Sequence, residues 1–351
     1  MNDSQIASDT LEPISIVMTV HDQAEELQRN LPTLLALRYR LGVEIIIVDE
    51  SSSDDTTTLL QQFKNELEAS DNDENNVPRP TLYTTYIPAP SHYLSRKKLA
   101  ITVGIKAAHN EWVILTDANC HPESDMWLEA MAQHMKADVD VVCGYTSLED
   151  APSNYVYQRL LTWWRQGKRP YRYSGGNLAI RKSAFMNRSG FCKDLQYLRG
   201  EYDFLVNETE PSRIAVANNP ESRMLQEVPS KKTWLTEQIH YMLNRQHMRR
   251  TFWPRLKFGL LQCFIHISYM MSIAALIYGI VQNNKTVIAI AALYFILIVA
   301  WRTLFVYLLA KNYNEKLPCW KAPWVDLGVI WHDIYYWLRY KTSNKQDFAR
   351  K

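Results

Sequence analysis

Two long apolar runs near the C-terminus constrain this chain more than anything else in it. Residues 258–281 are 24 positions without a Lys, Arg, Asp or Glu, and residues 287–310 are another 24 in which only Arg302 is charged. As helices rising ~1.5 Å per residue, each is roughly 36 Å long, enough to cross a hydrocarbon core of about 30 Å with some tilt. The polar turn between them holds only Lys285, whereas Arg249, Arg250, Arg255 and Lys257 precede the pair and Lys311, Lys316 and Lys321 follow it. Positive charge stays on the cytoplasmic side, so the tip of the hairpin is expected outside and both long segments inside. Arg302 falls in the cytoplasmic half of its helix and is expected to snorkel. Residues 318–340 are rich in Trp and Tyr but contain Asp326, His332 and Asp333, which predicts an interfacial amphipathic helix rather than a third span.

The first 145 residues read differently. Residues 14–20, 43–48 and 112–116 are short apolar runs of strand length, and residues 81–87 and 139–143 are further candidate strands. Helical patterns separate them: residues 23–37, 56–67, 95–108 and 124–135. Alternating strand and helix implies a parallel sheet with right-handed crossovers, a nucleotide-binding architecture. In such sheets ligands bind at the carboxyl ends of the strands. The polar residues delivered there are Asp22, Glu50, Lys98, Asp117 and Asn119. Carboxylates accept hydrogen bonds from a base and ribose, a lysine meets phosphate, and Asp117 with Asn119 two residues on can hold Mg²⁺ or Mn²⁺. The plain alternative for Asp117 and Asn119 is ordinary turn chemistry. Neither a GxxxxGK[ST] loop nor a GxGxxG fingerprint is present, so neither an ATPase nor a dinucleotide enzyme is indicated.

Charge is unevenly spread. Residues 1–80 carry 5 Lys or Arg against 16 Asp or Glu, and residues 231–351 carry 17 against 5. The basic part is also the apolar part, so no nucleic-acid partner is expected; the membrane lipid is. Five scattered cysteines without CxxC spacing fit reduced thiols and argue against a zinc site or a disulfide framework. Residues 1–13 are polar and acidic, which predicts no signal peptide.

Five segments, in order, resemble family 2 glycosyltransferases of the GT-A fold. Residues 14–27 resemble the opening strand and turn. Residues 46–56 are similar to the second strand, whose paired acids, here Asp49 and Glu50, meet the nucleotide in the family. Residues 116–122, Thr-Asp-Ala-Asn-Cys-His-Pro, sit where the family has its DxD-type metal motif. Residues 174–185 resemble the segment lining the acceptor side, which implies roles for Gly175, Gly176 and Asn177. Residues 200–205 resemble the segment that supplies the catalytic base, here Glu201 or Asp203, with Asp203 the first choice. Glu50 stands where Asp is usual, Asn119 replaces the second acid of the metal motif, and Tyr202 interrupts the acidic pair. The Gln-x-x-Arg-Trp signature of processive members is missing, so a long-chain polymer synthase is not expected.

The resemblance implies an α/β, GT-A-like, Rossmann-type and mainly parallel sheet flanked by helices, followed by the transmembrane hairpin and the interfacial helix. It divides the chain into a tail (1–13), a transferase domain (14–230, with a nucleotide half 14–145 and an acceptor half 146–230), a basic amphipathic helix at the membrane surface (231–257), the hairpin (258–310) and a cytoplasmic aromatic segment (311–351). The implied enzyme inverts configuration, takes a nucleotide-sugar donor and a saccharide or lipid-linked acceptor, and sits in the bacterial inner membrane with its catalytic domain in the cytoplasm. Two rivals belong to other classes. One is a degenerate fold that binds nucleotide sugar without turnover, which Tyr202 and Asn119 favour. The other is a nucleotidyltransferase, which would release pyrophosphate.

Overall fold

The computed structural model describes residues 11–69, 78–88 and 95–343; most of the polar tail and the acidic stretch 70–77 lie outside the described residues. Strand β1 (Ile14–Val20), helix α1 (Ala24–Leu35), β2 (Val43–Asp49), α2 (Thr56–Ala69), β3 (Thr81–Tyr86), α3 (Arg96–Ala107) and β4 (Trp112–Asp117) alternate as the apolar runs predict. β1 pairs in parallel with β2 and β4, and β2 with β3. β1, β2 and β4 are buried almost throughout because the sheet is covered on both faces there, whereas β3, Thr- and Tyr-rich, is a partly exposed edge strand. Val17, Ile46, Val48, Val113 and Leu115 face one core, and Ile16, Met18, Ile45, Ile47 and Ile114 the other.

Beyond β4 the architecture departs from simple alternation. A three-residue strand β5 (Cys120–Pro122) comes first, and the helix expected over residues 124–135 is only α4 (Trp127–Ala132). Then follow β6 (Val141–Gly144), β7 (Thr146–Leu148), α5 (Ser153–Gln166), β8 (Leu178–Arg181), α6 (Lys182–Asn187), α7 (Glu201–Glu208), β9 (Ile214–Ala217) and β10 (Met224–Gln226). The main sheet has seven strands in the order β3-β2-β1-β4-β8-β6-β9, and β5-β10-β7 make a second, three-stranded sheet. β8 runs antiparallel between β4 and β6, so the sheet is mixed rather than wholly parallel. That insertion carries the loop before β8 back over the end of β4.

Four helices complete the chain: α8 (Lys231–Asn244), α9 (Phe252–Val281), α10 (Lys285–Asn312) and α11 (Ala322–Thr342). The expected surface helix before the hairpin is thus shorter, and α9 starts six residues earlier than the charge pattern indicated. Both α9 and α10 are long and apolar enough to cross a membrane. Leu260, Phe264, Met270, Ile280, Ile290, Leu293 and Ile296 all lie exposed along them, a continuous apolar surface of the kind that meets a membrane or another protein. One core cluster runs without a break from Val113 and Leu115 in the sheet to Val306, Leu309 and Ala310 in α10 and Val329 in α11.

Arg302 does not snorkel. Its guanidinium donates to both carboxylate oxygens of Asp326 at 2.6 and 2.5 Å, and Tyr157 donates its hydroxyl to Asp326 Oδ1 at 2.5 Å. The carboxylate side chain is 1% exposed and the arginine 13%. α10, α11 and α5 are therefore joined by one buried ionic contact. Asp326→Ala would leave Arg302 buried without a counter-charge, which costs about 3–5 kcal/mol. Thermal unfolding in a fixed detergent is expected to show a large fall in Tm; an unchanged Tm would mean that the contact does not hold these helices.

Candidate active site

The carboxyl end of β4 delivers Asp117 into a cavity of about 150 Å³ whose other walls come from α3, α5, the loop before β8, α7 and α8. Three groups meet on or beside Asp117. Lys97, in the first turn of α3, places its ammonium 2.7 Å from Asp117 Oδ1 and 3.3 Å from Glu201 Oε1. Tyr202 donates its hydroxyl to the same Asp117 oxygen at 2.9 Å. Burial works against the charge on Lys97, but Asp117 and Glu201 outweigh it and raise its pKa.

α7 sets the acids. Gly200, just before it, has φ of +93°, and a Cβ there would lie 2.2 Å from Asn244 Nδ2. Only glycine fits, and the turn it makes puts Glu201, Tyr202 and Asp203 on the first turn of the helix, where acidic groups are favoured. Asp203 accepts from the Tyr173 backbone N–H at 2.9 Å and lies 3.6 Å from Arg172 Nε. Burial raises its pKa to about 6 despite Arg172. Glu201 behaves in the opposite way: burial pushes its pKa up, but Lys97 and Arg199 prevail and the net shift is downward. Glu201 Oε2 is buried without a hydrogen-bond partner.

The donor-side residues are spread along the rim. Asp22 is exposed, in a left-handed conformation with φ of 50°, and accepts from Ser53 N and Oγ at 2.6 and 3.1 Å. Asp49 is committed to Ser52 and Thr57, which fixes the turn between β2 and α2. Glu50 is partly buried; burial raises its pKa against the pull of Lys97 and His21. Lys98 is turned away. Its ammonium is fully buried and donates to the carbonyls of Asp194 and Tyr197 at 2.7 Å each, and burial lowers its pKa to about 8. The lysine that faces the cavity is its neighbour, Lys97.

Of the three acceptor-side expectations, Gly175 lines the cavity and the other two support it. A Cβ on Gly176 would lie 2.7 Å from the Asp117 backbone nitrogen, so the loop can lie against the end of β4 only with glycine there. Asn177 is fully buried: it donates to the carbonyls of Tyr145 and Ser222 and accepts from Trp127 Nε1. Asn119 lies outside the cavity wall, and its amide oxygen accepts from the Cys120 thiol at 3.6 Å. Among the described residues no three His, Cys, Asp or Glu side chains gather as a metal-binding group. With one carboxylate and one neutral amide, the residues present fit a divalent cation only where donor phosphates complete its shell.

Residues 15–81 match the sequence model of glycosyl transferase family 2. No curated protein matches the sequence. Among solved structures, the mannosyltransferase PcManGT from Pyrobaculum calidifontis, in complex with GDP-Man and Mn²⁺, is similar with a TM-score of 0.56 at 14% identity, over 94% of this chain and 87% of that one. That likeness shows a shared fold, of the GT-A type. TarS from S. aureus is matched at a TM-score of 0.43 and 12% identity, over 68% of this chain and 40% of that one. GalNAc-T7, solved with UDP, GalNAc and Mn²⁺, is matched at 0.44 and 15%, over 64% of this chain and 45% of that one.

Several cavity residues of this chain carry no motif. Arg159, Arg199, Glu237 and His240 all line it. Burial raises the pKa of Glu237 and lowers that of His240 to about 4. The Lys97–Lys98 pair did carry a signal. Lys98, Ile101 and Ile105 are spaced as one buried helical stripe, which assigns Lys98 to the core and frees Lys97 for the site.

Proposed function

We propose that this chain is a membrane-anchored transferase that moves a sugar, with inversion, from a nucleoside-diphosphate sugar to a hydroxyl of a saccharide or lipid-linked acceptor. Cell-envelope polysaccharide or glycolipid synthesis on the cytoplasmic face of the bacterial inner membrane fits that chemistry and the exposed apolar helices. The observation that carries the reading is the meeting of Asp117, Lys97, Glu201 and Asp203 in one cavity at the carboxyl edge of the sheet.

In this mechanism Asp203 accepts the proton of the acceptor hydroxyl as its oxygen bonds to the anomeric carbon and the bond to the donor phosphate breaks. A carboxylate with its pKa raised to about 6 is basic enough to take a proton and still ionised at neutral pH. Glu201 is the second candidate for this role. Asp117 would hold Mg²⁺ or Mn²⁺ with donor phosphates completing the shell, Asn119 joining only if its amide turned from Cys120 into the cavity, and the ion would neutralise charge on the departing diphosphate. Lys97 supplies a fixed positive charge beside the same phosphates. Asp22, Asp49 and Glu50 form the rim that meets the nucleoside, and the loop from Gly175 to Asn177 shapes the acceptor side.

The test is a thermal-shift panel of UDP-, GDP- and dTDP-sugars with and without Mn²⁺. A donor present at 100 times its Kd stabilises the protein by about 2.7 kcal/mol, so one nucleotide is expected to stand out. Asp117→Ala should erase that shift. Stabilisation by no donor, or an undiminished shift in the variant, would remove the reading.

A further inference from the structure

Helix α8 forms one wall of the active-site cavity and is pinned along its length. Its first turn is capped by Ser230, whose hydroxyl accepts from the Thr233 N–H at 3.1 Å. Trp234 stacks on Tyr155 of α5, ring centroids 4.1 Å apart, and donates its indole N–H to the Tyr336 hydroxyl of α11 at 3.1 Å. At the other end Asn244 donates to the Arg199 carbonyl at 3.0 Å, beside the turn at Gly200 that sets the acids. Trp234, Glu237, Gln238 and Tyr241 share one face of this helix, and all four line the cavity.

Glu237 is the one acid in α8, and none of the family-like segments includes it. Protein surrounds it closely enough to raise its pKa, yet the residue stays open to solvent through the cavity. Among the described residues it makes no hydrogen bond and no ion pair. The charges that act on it most are Arg159, Arg199, Lys97 and Asp117. One turn further along α8, Arg172 lies over the Tyr241 ring, its Cζ 3.5 Å from the centroid, and faces Asp203. Glu237 therefore stands on the diphosphate side of this wall, and Tyr241 on the side of the base. A carboxylate repels a diphosphate, so Glu237 is unsuited to hold the phosphates themselves. What it lacks is hydrogen-bond donors, and the donors tied to that diphosphate are the hydroxyls of the sugar it carries. With two acceptor oxygens, one carboxylate can take two neighbouring hydroxyls at once.

We propose that Glu237 is the specificity-determining residue for the transferred sugar, accepting from two adjacent hydroxyls of its ring beside the diphosphate at Asp117 and Lys97. The proposal rests on the transferase reading and deepens it: the donor class narrows to sugars that keep a free vicinal diol on the side turned to α8. Because α8 is pinned at Ser230, Trp234 and Asn244, the carboxylate is in position before the donor arrives, and little ordering is left for binding to do. A site built to bond a hydroxyl discriminates strongly against an analogue without it, since the carboxylate is then left unpartnered.

The experiment is titration calorimetry on the full chain in detergent with Mn²⁺, comparing UDP, GDP and dTDP with UDP-glucose, GDP-mannose and dTDP-glucose. Glu237→Ala is expected to weaken the sugar nucleotide about 10- to 150-fold, the loss of a charged hydrogen-bond partner, and to leave the matching free diphosphate unchanged. Glu237→Gln keeps the shape and one acceptor oxygen and should fall between. Unchanged binding of the free diphosphate also shows that each variant is folded. Deoxy forms of the sugar nucleotide, each lacking one ring hydroxyl, give a second readout. The two hydroxyls that meet Glu237 should cost affinity in the unaltered protein and cost nothing further in Glu237→Ala. Were Glu237 only a counter-charge for Lys97 and Arg199, its removal would tighten both ligands alike, and that result overturns the proposal. Equal losses of both ligands, unchanged affinity for both, or deoxy penalties that persist in the variant overturn it too. Protein whose nucleotide binding ignores Glu237 defeats this inference alone, and protein that binds no nucleotide defeats the transferase reading as well.

Discussion

Asp203→Asn is expected to lower kcat by about 10²- to 10⁴-fold with little change in donor affinity, the size of effect lost with a positioned general base. The amide keeps the shape and still accepts from the Tyr173 N–H, so the first turn of α7 has no reason to move. What disappears is the ability to take a proton. The pH profile gives an independent reading. Asp203 must be ionised to act, and its pKa is raised to about 6, so kcat/KM should fall as pH drops through about 6. Glu201 has its pKa shifted downward, so a profile governed by it would hold its activity further into acid. An acidic limb near 6 that vanishes in Asp203→Asn supports Asp203. A limb at lower pH, abolished in Glu201→Gln, transfers the role to Glu201.

The second large effect is expected from Lys97→Met. Lys97 is the cation between Asp117 and Glu201, and without it two carboxylates face the incoming diphosphate with nothing to offset them. A hydrogen bond to a charged group is worth about 1.5–3 kcal/mol, so the donor Kd should rise roughly 10- to 150-fold. Lys98→Met is the instructive partner. It strands two buried carbonyls, so it should lower Tm and leave the donor affinity of the folded fraction near that of the unaltered protein. Titration calorimetry with the donor found in the thermal panel separates the two. Unchanged affinity in Lys97→Met would place the phosphates elsewhere.

The contrast between these lysines shows where residue patterns inform and where they stop. β1, β2 and β4 were legible because strands covered on both faces are apolar along nearly their whole length, and the polar groups at their ends mark the rim; β3, a partly exposed edge strand, showed only its β-branched and aromatic residues. Asp117 was marked by the apolar run of β4 that it ends, whereas Glu201 and Asp203 were suggested only by the resemblance of residues 200–205 to a family segment; the structure places all three on one cavity. β5, β7 and β10 span three residues each, too few for any periodicity to register. The antiparallel insertion of β8 follows from the turn at Gly175 and Gly176, whose geometry depends on Thr146 and Asp117, remote in the chain. α8 looked like a surface helix because Lys and Arg alternate with Trp and Met. Its Trp234, His240 and Met242 are buried, and Glu237, Gln238 and Tyr241 wall the cavity. The partner of Arg302 could not be named from the chain, since Asp326 lies 24 residues away on another helix.

The unbroken core from β4 into α10 and α11 has a further consequence. Sheet and apolar helices share one core cluster and are joined by Tyr157, Asp326 and Arg302, so the hairpin packs onto the sheet domain rather than hanging from a linker. On the function proposed above, with α9 and α10 in a bilayer, the height of Asp203 above the lipid would be set by the fold rather than by the swing of a tethered head. Such an enzyme would measure its substrate: a hydroxyl held at one particular elevation from the lipid surface would meet the carboxylate, and one carried higher or lower would not.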